Sequence, residues 1–230
     1  MKESEQNENT DSFTSFRMTK KTKQQDMKDK ISKLLMLGIA LELLVMLLAY
    51  MESKGDTTLF FQVSARLSGR VSLIFFLFYG IFATRHPSVE TGSIPMSIKT
   101  QLTKDFAVIH IIHWVFLAIA VKLSGFELIP FRVAGGALAY GMIVVMPFIY
   151  QRKLFASFSL PMMQHVYIFY VWLIFFMTYL SRVRGQTPTA TGDMTYYWIL
   201  IVVTSSFLLW RIVKMIQEKP SPDPPLSIKP

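Results

Sequence analysis

Four histidines and two isolated charges are the residues of this 230-residue chain best placed to carry chemistry. His110, His113 and His165 fall inside long apolar runs, whereas His86 falls between two of them. An ionisable side chain inside a bilayer is costly and turns toward the interior of its helix bundle. His110 and His113 are three residues apart, so they share one helix face. Aromatic residues surround them: Phe106, Trp114 and Phe116 near the first pair, and Tyr167, Phe169, Tyr170 and Trp172 near His165. One reading is ligation of a b-type haem, with an imidazole on each face of the iron. The other is a neutral histidine that bonds to a neighbouring helix. Spacing alone leaves both open.

Glu42 sits near the middle of the first apolar run. It suits a proton relay, or a bond to an imidazole N–H that tunes a haem, or a plain hydrogen bond between helices. Arg70 follows Arg66 by four residues, on the same face at the expected outer end of the second helix. These arginines suit a haem propionate or an anionic substrate, or they snorkel to headgroups. Gly135, Gly136 and Gly141 permit close helix packing and form no phosphate-loop pattern.

The elements that must position these residues are membrane helices. A spanning helix needs roughly 20 mostly apolar residues. Six runs qualify: Leu34 to Met51, about Leu67 to Ala83, Phe106 to Leu123, Val133 to Tyr150, Pro161 to Leu180 and about Tyr196 to Met215. The second has the shortest uncharged stretch, and a start near Leu59 also suits it. The runs are too long for strands and lack the alternation of a membrane barrel. The expected fold is all-α, an integral membrane six-helix bundle over residues 31–216. Polar tails flank it at 1–30 and 217–230, the first basic and the second proline-rich, both expected to be disordered.

Composition agrees. Hydrophobic residues make up 52 % and charged residues 17 %, below the roughly one quarter of soluble domains. A net charge of +9 first suggests nucleic acid. The basic residues instead sit between the apolar runs, where they orient a membrane protein, so lipid and not nucleic acid is the expected partner. The absence of cysteine excludes disulfides, cysteine-ligated zinc, iron–sulfur clusters and covalent c-type haem. The polar first 30 residues carry no cleavable signal peptide pattern. Six spans put both termini on one side, which holds 17 of the Lys and Arg residues against 7 on the other. The positive-inside rule then places both termini in the cytoplasm and the chain in the plasma (inner) membrane.

Depth bears on the histidines. His110 is the fifth residue of the third expected span and His165 the fifth of the fifth, and these spans run the same way. At about 1.5 Å per residue their depths match, and His113 lies about 4.5 Å deeper. Two imidazoles at one depth would clamp one haem.

The order of elements resembles the ferric-reductase-like transmembrane domain. That group includes NADPH oxidases, ferric-chelate reductases and the haem-binding membrane subunit of a bacterial periplasmic methionine sulfoxide reductase. The resemblance covers roughly residues 60–183. It runs through ARLSGRVSLIFFLFYGIFATR, KDFAVIHIIHW, RVAGGALAYGMIVVMPFIY and LPMMQHVYIFYVWLIFFMTYL. It implies that His110 and His165 ligate the iron of one haem b, with His113 as a substitute or a supporting group. Many members carry a second histidine pair about 13–14 residues further on, roughly 20 Å across the membrane. Here those positions fall near Lys122 to Ser124 and at Thr178 and Tyr179, so one haem is implied. Only about a dozen residues follow the last span, so the resemblance implies a separate flavoprotein or quinol donor. The chain would be the electron-transfer subunit of an oxidoreductase, passing electrons to a partner reductase, ferric iron or oxygen. Two other classes stay open. One is a cofactor-free transporter or channel whose polar path is lined by Glu42, Arg70 and the histidines. The other is a non-catalytic partner subunit that presents its basic tail to anionic lipid.

Overall fold

The computed structural model describes residues 33–83, 96–125, 130–152, 160–185 and 194–217. His86 and both expected tails fall outside these residues, apart from Gln217, which ends the last helix. The six helices are α1 Lys33–Ser53, α2 Thr57–Ala83, α3 Met96–Ser124, α4 Pro130–Arg152, α5 Leu160–Val183 and α6 Met194–Gln217. All six are long and apolar enough to cross a membrane. The chain is therefore an all-α, multi-pass membrane protein.

Four helices begin and end within a few residues of the hydropathy limits. The exceptions are α2 and α3. α2 starts at Thr57, just after Asp56, whose Oδ1 accepts the Leu59 N–H at 3.0 Å. An aspartate there satisfies one of the free N–H groups of the first turn. The turn before it is made by Lys54 and Gly55, both at positive φ (48° and 92°). α3 starts at Met96, so residues 96–105, expected in a loop, are helical. Two of their polar side chains bond within the helix itself. Thr103 Oγ1 donates to the Lys99 carbonyl at 2.7 Å, and Gln101 Nε2 donates to Asp105 Oδ1 at 2.8 Å.

The α2–α3 hairpin is the centre of the bundle. Phe75, Phe76 and Tyr79 of α2 pack with Phe106 and Ile109 of α3 in one continuous core. α6 closes on α2 where Phe207 lies directly over Gly80, a contact any side chain at position 80 would block. α5 is tied to α6 by the Trp172 indole, which donates to the Thr204 carbonyl at 2.9 Å. It is tied to α4 by Tyr170, whose hydroxyl donates to the Gly135 carbonyl at 3.0 Å. α1 lies across the hairpin at Gly38 and turns Leu37, Leu44 and Leu47 outward to lipid.

A Cβ at Gly38 would stand 2.5 Å from Phe75 Cζ and 2.8 Å from Ile109 Cδ1, closer than atoms can pack. Gly38→Leu should therefore loosen α1 from the hairpin at about 1–3 kcal/mol. The expected outcome is a lower thermal midpoint in detergent. Gly136→Ala, which meets nothing within 4 Å inside α4, should hold the midpoint or raise it slightly.

Candidate functional site

Ser64, Ser68 and Ser72 recur every fourth residue of α2, on one helix face, and all three are fully buried. This row meets the charged and titratable groups of α1 and α3. Ser68 Oγ donates to Glu42 Oε1 at 2.8 Å. Ser72 Oγ is hydrogen-bonded to His110 Nδ1. The His113 ring rests on Gly69, whose bare Cα leaves room for it: a Cβ there would stand 3.1 Å from the imidazole. His113 is also bonded to the Ala65 backbone, one turn before Gly69. The two imidazole centroids are 5.5 Å apart. A carboxyl, two imidazoles and three hydroxyls thus line one seam between α1, α2 and α3.

Several polar atoms in the seam are left open. Glu42 is only 3 % exposed, and its Oε2 meets no hydrogen-bond partner. Nδ1 of His113 and the Ser64 hydroxyl are likewise enclosed and unpartnered. An unsatisfied buried polar group costs about 1–3 kcal/mol, so such positions call for a bound water or a functional role. Around the seam the walls are aromatic. His110 stacks on Tyr140 at 4.6 Å and touches Phe106 and Phe175 at 5.4 and 5.7 Å.

His165 is elsewhere. Its Nδ1 lies 2.7 Å from Arg211 Nη2, and Arg211 of α6 is almost fully buried. The expected match in depth does not hold, because α3 begins ten residues before Phe106. His110 is the fifteenth residue of α3, level with Phe175 of α5. Phe175 lies ten residues beyond His165, which is about 15 Å of helix. Between the two histidines the interior is filled: the Phe76 ring sits 5.4–5.7 Å from those of Phe106, Phe175 and Phe207. Arginine has no acceptor, so it donates to His165 Nδ1. A neutral ring then carries its proton on Nε2 and has no lone pair there for a metal. A haem shared by His110 and His165 does not fit this arrangement. Nor, among the described residues, do three or more His, Asp or Glu side chains gather as a metal site.

Comparison with protein-family models, curated proteins and solved structures finds no match. The site's meaning therefore rests on its geometry.

Arg70 also departs from expectation. It is the fourteenth residue of the 27-residue α2, and not at the helix end. Its companion Arg66 does reach the end, where it pairs with Glu52 at 3.3 Å. Three features escaped the sequence reading. The serine row hid among apolar residues, although its fourfold spacing was visible. Arg211 lies inside the sixth apolar run, where the surrounding apolar residues mask it. Asp105 lies just outside the third apolar run, yet it is fully buried inside α3, with Oδ2 unpartnered.

The Arg211 bond separates the two roles of His165. His165→Leu removes a charge-assisted acceptor and should cost about 1.5–3 kcal/mol, read as a drop in the thermal midpoint. His165→Gln, which restores an acceptor, should recover most of that loss. Equal losses in both variants would refute an acceptor role.

Proposed function

We propose that this chain is a proton-handling membrane protein of the transporter or channel class, with its proton site at Glu42, His110 and His113. The observation that carries this reading is the seam itself. Successive serines of one row hold Glu42 and His110, and His113 packs beside His110 against Ala65 and Gly69, with an open atom on Glu42 and on His113. Carboxyl and imidazole groups held inside a membrane bundle are the parts of proton relays. Each group is fixed on one side and open on the other. Ser68 holds one oxygen of Glu42, and the Ala65 backbone holds His113. Ser72 holds His110 on its Nδ1 side, within one ring contact of His113. Oε2 of Glu42 and Nδ1 of His113 engage no other side chain among the described residues, which leaves them to exchange a proton through a mobile water. We place both termini in the cytoplasm and the chain in the plasma membrane, on the charge asymmetry of the sequence.

The test is proton flux into proteoliposomes under a potassium diffusion potential, followed with an enclosed pH dye. Glu42→Gln keeps an oxygen for Ser68 and removes the titratable group. It should cut flux about a hundredfold or more, the scale on which a positioned proton-transfer group acts. Flux equal to that of empty liposomes, or unaltered by Glu42→Gln, would sink the reading.

The ferric-reductase-like resemblance makes a competing claim, which the same preparation decides. A haem protein purified from haem-replete cells shows a Soret band that shifts with dithionite. The proton reading expects no such band. A band lost in both His110→Ala and His165→Ala would restore the redox reading and overturn this one.

A further inference from the structure

At the end of the bundle where α5 passes to α6, two arginines gather without a counter-charge among the described residues. Arg182 stands in the last turn of α5, and Arg70 reaches the same place from the middle of α2. Tyr196 and Tyr197, adjacent in the first turn of α6, receive them. The Arg70 guanidinium lies 5.4 Å from the Tyr196 ring centroid, and that of Arg182 lies 5.5 Å from the Tyr197 ring. Arg182 Nη1 also donates to the Tyr197 hydroxyl at 3.2 Å. Buried Tyr179, one turn before Arg182, is within electrostatic reach of both arginines. Arg70 and Arg182 are each half-buried, and neither meets a carboxylate among the described residues. Arg66, only four residues from Arg70, has its own acid in Glu52.

Headgroup snorkelling accounts for one arginine at a helix end. It does not account for a second that comes from mid-helix to the same pair of tyrosines. Two half-buried cations held against aromatic faces keep most of their donors free. A guanidinium offers a planar fork that matches two oxygens of a phosphate group. The Tyr197 hydroxyl accepts from Arg182 and keeps its own proton to donate. We propose that Arg70, Arg182 and the Tyr197 hydroxyl bind a phosphate-bearing anion at this end of the bundle. The anion is either the phosphate of a net-anionic lipid headgroup or a free phosphate. The site shares no residue with the Glu42 seam, so the proton reading can fail while this one stands.

The test follows the thermal midpoint of the full chain by tryptophan fluorescence. One arm compares sodium phosphate with sodium chloride at matched ionic strength, in detergent. The other compares nanodiscs of phosphatidylglycerol with nanodiscs of phosphatidylcholine. At tenfold excess over its Kd, a bound anion should raise the midpoint by about 3–6 °C. Arg70→Gln and Arg182→Gln should each remove most of that rise, and Arg66→Gln should keep it. A rise with inorganic phosphate assigns a free anion, and a rise with phosphatidylglycerol alone assigns a headgroup. Should an arginine variant fail to fold, Tyr197→Phe removes one hydroxyl and must still shrink the rise. No rise in either arm, or a rise that survives these substitutions, overturns the proposal.

Discussion

The hydrocarbon of a bilayer offers a polar atom no solvent partner, and the seam of this protein is arranged around that constraint. Backbone groups solve it by helix formation. Side chains must find partners on another helix, and the serine row of α2 supplies them. Serine is also small, so the same row that donates to Glu42 and bonds His110 lets α1 and α3 approach closely. Gly38 and Gly69 extend this economy of space, the first under α1 and the second under the His113 ring. The aromatic core of Phe75, Phe76, Tyr79 and Phe106 then fills what lies beyond the seam. Packing and polarity here are one arrangement, and neither could be altered alone.

Two arginines, one buried and one half-buried, illustrate opposite solutions to that constraint. Arg211 sits deep in the bundle and is held by an imidazole. Arg182 sits at a helix end, against a ring and a hydroxyl. Arg182 is also within electrostatic reach of His113.

The membrane class, the helix number and the limits of α1, α4, α5 and α6 were legible because long apolar runs report directly on lipid. The starts of α2 and α3 were not. Hydropathy sees side chains, whereas a helix is held by its backbone, and Gln62, Ser64, Lys99 and Asp105 continue the helix without being apolar. That shift of ten residues in α3 undid the depth match of His110 and His165. The site was legible only in part. Glu42, His110 and His113 stood out as rare polar groups in apolar runs. Which helix each would face was beyond the sequence, because periodicity gives a face but not the neighbour it meets. Ser72 and Arg211, the partners of the two histidines, looked like background for that reason.

The lengths of α2 and α3 carry one more consequence. At 27 and 29 residues they rise about 40–44 Å, against a hydrocarbon core of about 30 Å. α4, at 23 residues, rises only about 35 Å. Helices in one bundle that differ this much do not meet a single slab of lipid in the same way. The excess is taken up by tilt or by projection beyond the acyl chains, each at a small cost per ångström that depends on bilayer thickness. The two longest helices are also the two that carry Ser72 and His110. Membrane thickness thereby acts on the pair of helices that holds the polar seam together.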